Sequence, residues 1–261
     1  RHVIKGKAGS PYAITDYYDI DPDIATDVEH RLDEFDALVK RTHDAGLKVI
    51  IDFVPNHVGR QYHSDAKPAG IKDLGADDDQ TMFFSPTNDF YYITRQQFSP
   101  SIDLGEGADA YIEFPAKASG NDCFNAFPNQ YDWYETVKLN YGIDYGDHTH
   151  HFDPIPPVWF KMLHILRYWA SKGVDGFRCD MAHMVPIEFW RWAIANVKER
   201  YPDIIFIAEI YDIHLYRDFI NIGGFDYLYD KVNLYDTLRG IQCHNVSAAN
   251  ITSCWQTVEG I

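Results

Sequence analysis

Residues Gly173–Asp180 read GVDGFRCD. Val174, Gly176 and Phe177 begin a short apolar run of strand type, after a glycine that ends an amphipathic stretch. Arg178 and Asp180 are separated by one residue, so on a strand they point to the same face. The run stops in MAHMVP, where Pro186 cannot continue a central strand and suits the first turn of a helix. About thirty residues further on, the spacing of a βαβ unit, the pattern recurs in IIFIAE, which ends at Glu209. Two carboxylates then stand at the C-terminal ends of two successive parallel strands. Charges placed there are costly to desolvate unless they meet each other or do chemistry.

The rest of the chain extends this alternation. PYAITDYYDIDP at the start reads as a short strand and a long loop, following an opening loop over residues 1–10. Thr26 and Glu29 fit a capping box. Val28, Leu32, Phe35, Val39 and Thr42 recur at helical spacing, and Gly46 suits the helix end. LKVIIDFV reads as a fully buried parallel strand that ends at Pro55, Asn56 and His57. Helices are expected from Pro157 to Gly173, from Pro186 to about Arg200, from about His214 to Asn221 and, weakly, near Val232–Arg239, with a strand starting at Phe225. The tail from Gln242 onward is polar and poorly patterned.

Between Val58 and Pro156 the periodicity breaks down, which marks an inserted small domain or a functional loop excursion. The expected division is therefore residues 1–57, an insertion over 58–156, and a continuation over 157–261. Alternating strands and helices give a parallel sheet with helices outside it. An open doubly wound sheet and a closed (β/α)8 barrel both satisfy that order. No glycine-rich phosphate loop follows the first strand, and charged residues end three strands, at Asp52, Asp180 and Glu209. That favours the barrel, whose chemistry gathers at the C-terminal ends of its strands.

The net charge of −16 argues against a nucleic-acid partner and against an anionic membrane surface. No apolar run is long enough to insert in a membrane. Aromatic residues make up 15% of the chain, enough for a sugar-stacking cleft, although core packing accounts for most of them. Cys123, Cys179, Cys243 and Cys254 lack metal-ligand spacing. Cys179 reads as a buried filler, and Cys243 with Cys254 as candidates to bridge a loop.

Asp180 and Glu209 are candidates for a nucleophile and a proton donor, since glycosidic cleavage needs two carboxyl groups in different ionisation states. Arg178 would hold Asp180 ionised, and an apolar wall of Phe206, Ile207 and Ala208 would raise Glu209. The competing reading is a structural Arg178–Asp180 ion pair and a helix-capping Glu209. In DFVPNH, His57 could donate to a sugar hydroxyl and Asn56 could present a carbonyl to calcium. DHTHHFD at 147–153 suggests either a metal site or a solvated loop.

Taken together these stretches resemble the α-amylase superfamily, glycoside hydrolase family 13. DFVPNH (52–57), GFRCDMAH (176–183) and FIAE (206–209) are similar to its first three conserved regions, and YAITDYYDI (12–20) to the segment at its second barrel strand. The resemblance implies a retaining mechanism on α-linked glucans such as starch, glycogen or maltooligosaccharides. Asp180 would form the covalent glycosyl intermediate, Glu209 would act as acid and then base, and Arg178 would orient Asp180. Tyr12 would stack on the same sugar that His57 holds, His183 would meet the acceptor-side sugar, Asn56 would be a calcium ligand, and 58–156 would be the inserted domain B.

The sequence departs from that pattern twice. The family's fourth region, a His-Asp pair, has no counterpart, since His244-Asn245 comes too soon and lacks the acid. Counting strands from about the second to the sixth, the chain is expected to be a piece of a longer enzyme. Met184 also stands where many calcium-dependent members carry histidine. Other readings are an α-glucosidase or transglycosylase of the same superfamily, a non-catalytic α-glucan binder, and a metal-dependent hydrolase using the histidines of DHTHHFD.

Overall fold

The computed structural model describes residues 9–102 and 111–259, so most of the opening loop lies outside the described residues. The described strands are, in chain order, β1 (Ile50–Phe53), β2 (His57–Gly59), β3 (Tyr92–Ile93), β4 (Ala116–Lys117), β5 (Thr136–Lys138), β6 (Ile143–Asp144), β7 (Thr149–His150), β8 (Gly176–Cys179), β9 (Ile205–Glu209) and β10 (Tyr227–Tyr229). The α-helices are α1 (Arg31–Asp44), α2 (Pro157–Ser171), α3 (Ile187–Lys198), α4 (Tyr216–Asn221), α5 (Asp236–His244) and α6 (Asn250–Val258). The chain forms two compact units: Arg1–Leu47 with Val54–Gly173, and Lys48–Phe53 with Val174–Ile261.

The second unit is built on one parallel sheet in the order β1-β8-β9-β10. One face of it is apolar. Phe177 and Phe206 lie 5.4 Å apart there, and Trp190 of α3 packs edge-on against Phe53 and Phe225. Helix α3 buries Phe189, Trp190, Ala193, Ile194 and Val197, a stripe at helical spacing that covers this face. Gly176 is required where β8 meets β9, because a Cβ there would lie 2.6 Å from Ile205 Cγ1 and 2.8 Å from its carbonyl oxygen. Cys179 is fully buried, as a filler would be.

Three details differ from the sequence reading. β1 is not fully buried: it pairs only with β8 among the described residues, and Ile50 is exposed. An apolar run identifies a strand but not its place in the sheet. Residues 12–20 form turns, not a strand. α6 occupies the tail read as unpatterned, although Ile251, Cys254, Trp255 and Val258 carry helical spacing. Cys243 and Cys254 are free thiols.

In the first unit, α1 begins at Arg31, later than its expected cap. Glu34, not Glu29, closes the start by accepting from the Thr26 and Asp27 N–H groups at 3.0 and 2.6 Å. Helix α2 buries eight side chains, and its Trp169 donates to the Tyr17 carbonyl at 2.7 Å. The helix stops where Gly173 takes φ 88°. Residues 57–150 carry three short antiparallel pairs, β2–β5, β3–β4 and β6–β7. Arg60 ties this region together, bound to Glu113 at 2.6 Å, to Ser119 and to the Tyr134 carbonyl while lying over the Phe98 ring.

Candidate active site

Register alone gathers five side chains on the other face of the parallel sheet. Asp52 pairs with Arg178 across β1 and β8, and Asp180 follows Arg178 by two residues. Cys179 pairs with Ala208, which brings Asp180 level with Glu209, and Glu209 pairs with Tyr229. Arg178 is the hub. Its Nη1 lies 3.1 Å from Asp52 and 2.8 Å from Asp180, and its Nη2 lies 2.9 Å from Glu209 and 2.5 Å from the Tyr229 hydroxyl.

Local backbone geometry completes the pocket around Glu209. Met181 sits in the left-handed region at φ 46°, a conformation that costs a residue with a Cβ roughly 1–2 kcal/mol. The twist aims its N–H at Glu209 Oε2, at 3.1 Å. Trp190 holds the turn that follows by donating to the Ala182 carbonyl at 2.9 Å. Tyr211, two residues beyond Glu209, donates to its Oε1 at 2.7 Å.

These contacts reverse the ionisation expected from the sequence. Burial, and then the charge of Glu209, push Asp180 up to about 7, against the opposing pull of Arg178. Burial alone would raise Glu209 as well, but Tyr229, Tyr211, the Met181 N–H and Arg178 hold it below its ordinary value. The two carboxylates share one guanidinium and feel each other's charge, so they titrate as a pair, Asp180 above Glu209. Arg178 divides its charge among three carboxylates, and Glu209 is ringed by donors where the sequence suggested an apolar wall.

His183 faces the Tyr211 ring at 5.8 Å, and its buried Nδ1 has no hydrogen-bond partner among the described residues. His57 and Tyr12 meet in the first unit, where the His57 ring bonds the Tyr12 backbone and packs 5.2 Å from Trp133. Asn56 Nδ2 lies 3.1 Å from the other side of that ring. Burial, and then the charge of Lys138, push His57 down to about 4. Tyr12 keeps an exposed face.

Asn56 does not fit the calcium role. Its side-chain oxygen accepts from the Lys138 ammonium, and its Nδ2 donates to the Gly120 carbonyl at 2.7 Å. Lys138 is buried in β5 with Asp122 at 2.7 Å. A fixed positive charge therefore already faces the oxygens a cation would need. The DHTHHFD stretch spans β7, with Asp147 bonded to Thr149 and His150 packed on Phe152. Among the described residues no group of three His, Cys, Asp or Glu side chains is placed to hold a metal ion.

Sequence reasoning missed Tyr211, Tyr229 and Lys138. The pairing of β10 with β9, which no sequence pattern supplies, puts Tyr229 on the face of Glu209. In TVKLNY a lysine sits between two apolar strand residues, a sign that it needs an internal partner.

A family model described as "Alpha amylase, catalytic domain" matches residues 5–216. The chain belongs to the alpha-amylase family. Relatives of this alpha-amylase-family chain include an "Alpha-1,4-glucan:maltose-1-phosphate maltosyltransferase" of Rhodospirillum rubrum, 29% identical over 78% of the chain and 22% of that protein. "Alpha-amylase 3" of Dictyoglomus thermophilum is 25% identical over 77% of the chain and 33% of its own length. Among solved structures, an alpha-amylase from Lactobacillus plantarum superposes with a TM-score of 0.61 and 24% identity, covering 98% of this chain and 48% of that one. A cyclic alpha-maltosyl-(1→6)-maltose hydrolase from Arthrobacter globiformis gives 0.60 and 20%, covering 95% and 45%. The parallel sheet is thus part of the family's (β/α)8 barrel, and the chain spans a third or less of these two curated relatives.

Proposed function

We propose that this chain carries the catalytic pair of an α-amylase-type retaining glycoside hydrolase acting on α-1,4-glucosidic bonds of starch, glycogen or maltooligosaccharides. One observation carries the reading: Asp180 and Glu209 end adjacent strands in register and are held by the two arms of one guanidinium, at 2.8 and 2.9 Å. An inverting pair stands about 6.5–9.5 Å apart to admit water, and the adjacency here supports the retaining alternative.

In the first step the ionised Asp180 attacks the anomeric carbon. The bond to the leaving oxygen breaks, and Glu209 gives that oxygen its proton. In the second step Glu209 takes a proton from water, whose oxygen displaces Asp180 and restores the carboxylate. Asp180 titrates above Glu209 in the free chain, so productive binding must leave the proton on Glu209.

Tyr12, His57 and His183 are assigned to substrate binding on the strength of the motifs. Residues 58–156 are assigned to domain B, flanked by barrel segments over 1–57 and 157–261. β1, β8, β9 and β10 are assigned to the third to sixth barrel strands. The printed name of the Rhodospirillum relative favours a second reading, glycosyl transfer to an acceptor other than water.

Reducing-sugar release from soluble starch tests the proposal, with Glu209→Gln as control. Release by the wild type, abolished in the variant, is expected. Binding of starch without turnover would leave a glucan-binding protein, and products elongated on added maltose would select the transfer reading.

A further inference from the structure

Tyr229 ends β10 in register with Glu209. Its hydroxyl accepts from Arg178 Nη2 at 2.5 Å, and the same nitrogen lies 2.9 Å from Glu209, so the hydroxyl stands beside the carboxylate whose charge helps to raise it. A guanidinium only donates and a carboxylate only accepts, so a group that does both, as a hydroxyl does, can join the two in sequence. The Arg178 carbon also lies 5.6 Å from the Tyr229 ring centroid. Tyr227, on the same face two residues earlier, is exposed.

The other groups facing the pair come from β1, from β8 and from the loops after β8 and β9. Asp52 lies on β1, Arg178 on β8 with Asp180 just beyond, and the Met181 N–H and Tyr211 hydroxyl bond Glu209 itself. Tyr211 shares Glu209 but not Arg178. Among these contacts Tyr229 meets both the hub and the acid.

We propose that Tyr229 is a positioning residue of the carboxyl pair: it locks the Arg178 fork across Asp180 and Glu209 and sets how readily Glu209 takes up the proton it delivers. The proposal rests on the glycosidase reading for its kinetic consequences, but not for its titration consequences.

The sign follows from the hydroxyl beside Glu209. A phenol donating to a carboxylate favours its ionised form. Tyr229→Phe keeps the ring and deletes the hydroxyl, so Glu209 should titrate at higher pH, by roughly one unit for one lost hydrogen bond. The limb of the pH–rate profile that reports Glu209 should move the same way. kcat should fall roughly tenfold, with KM changing less.

The deciding experiment is a carboxyl ¹³C NMR titration of Asp180 and Glu209 in the wild type, Tyr229→Phe and Tyr211→Phe. Both variants should raise Glu209, and Asp180, which responds to the Glu209 charge in both, should move further in Tyr229→Phe, which also frees Arg178. Site-specific 3-fluorotyrosine at position 229, a stronger donor in an unaltered packing, should lower Glu209. Curves for Glu209 that do not move in Tyr229→Phe or in the fluorinated protein would overturn the proposal, whatever happens to stability. If the wild type turns over no α-glucan, the function proposed above fails, and the titration still decides the role of Tyr229.

Discussion

Asp180 and Glu209 stand on the two arms of Arg178, at 2.8 and 2.9 Å. The folded chain keeps a proton on Asp180 up to about pH 7, whereas an unfolded aspartate releases it near pH 4. Between those values the folded state binds more protons, so this pair makes stability fall as pH rises. The contribution is fully present below the unfolded value and lost above the folded one. Asp180→Asn removes the ionisation. Its melting temperature should exceed that of the wild type at pH 8, and the gap should narrow toward pH 4. Thermal unfolding across that range checks this, and a gap independent of pH would contradict it.

Lys138 gives the first unit a built-in cation. Lys138→Met would leave the Asn56 side-chain oxygen without its donor and Asp122 without its counter-ion, for a loss of about 2–4 kcal/mol. Neither calcium nor EDTA should move the melting temperature of the wild type. Lys138→Asp would set a carboxylate beside Asn56 and Asp122, oxygen donors of the kind calcium takes, and its melting temperature should rise with added calcium. Denaturant melts and calcium titrations measure both effects. A calcium-stabilised wild type would refute the account.

Gly176→Ala tests the close approach of β8 to β9. The new methyl would stand 2.8 Å from the Ile205 carbonyl oxygen, and the backbone cannot yield as a flexible side chain would. Overpacking of this kind typically costs about 1–3 kcal/mol. Urea unfolding should show a lower midpoint, and the variant should disturb the Arg178 contacts, because Arg178 is two residues along the same strand.

Much of the second unit was legible. The alternation around Phe177, Arg178 and Asp180 and its recurrence at Ile207 and Glu209 predicted parallel strands with carboxylates on one face, and the folded chain pairs β8 with β9 in that way. Trp190 and Phe189 marked α3 by helical spacing. Ionisation was not legible. The apolar neighbours of Glu209 in sequence point to the opposite face or lie before it, while its actual environment comes from Met181, Tyr211 and Tyr229. Lys138 was equally hidden, because its partners Asn56 and Asp122 are 82 and 16 residues away by numbering and meet only through the β2–β5 pairing and its adjoining loops.

Side-chain periodicity is a property of the local backbone, and it was enough for the sequence to determine which residues form strands, that Arg178 and Asp180 share a face, and which carboxylates end successive strands. Tertiary structure alone decided the charge state of those carboxylates and the identity of the cation beside Asn56. Both depend on desolvation and on donors brought from distant segments, and neither quantity is encoded in the spacing of residues along one strand.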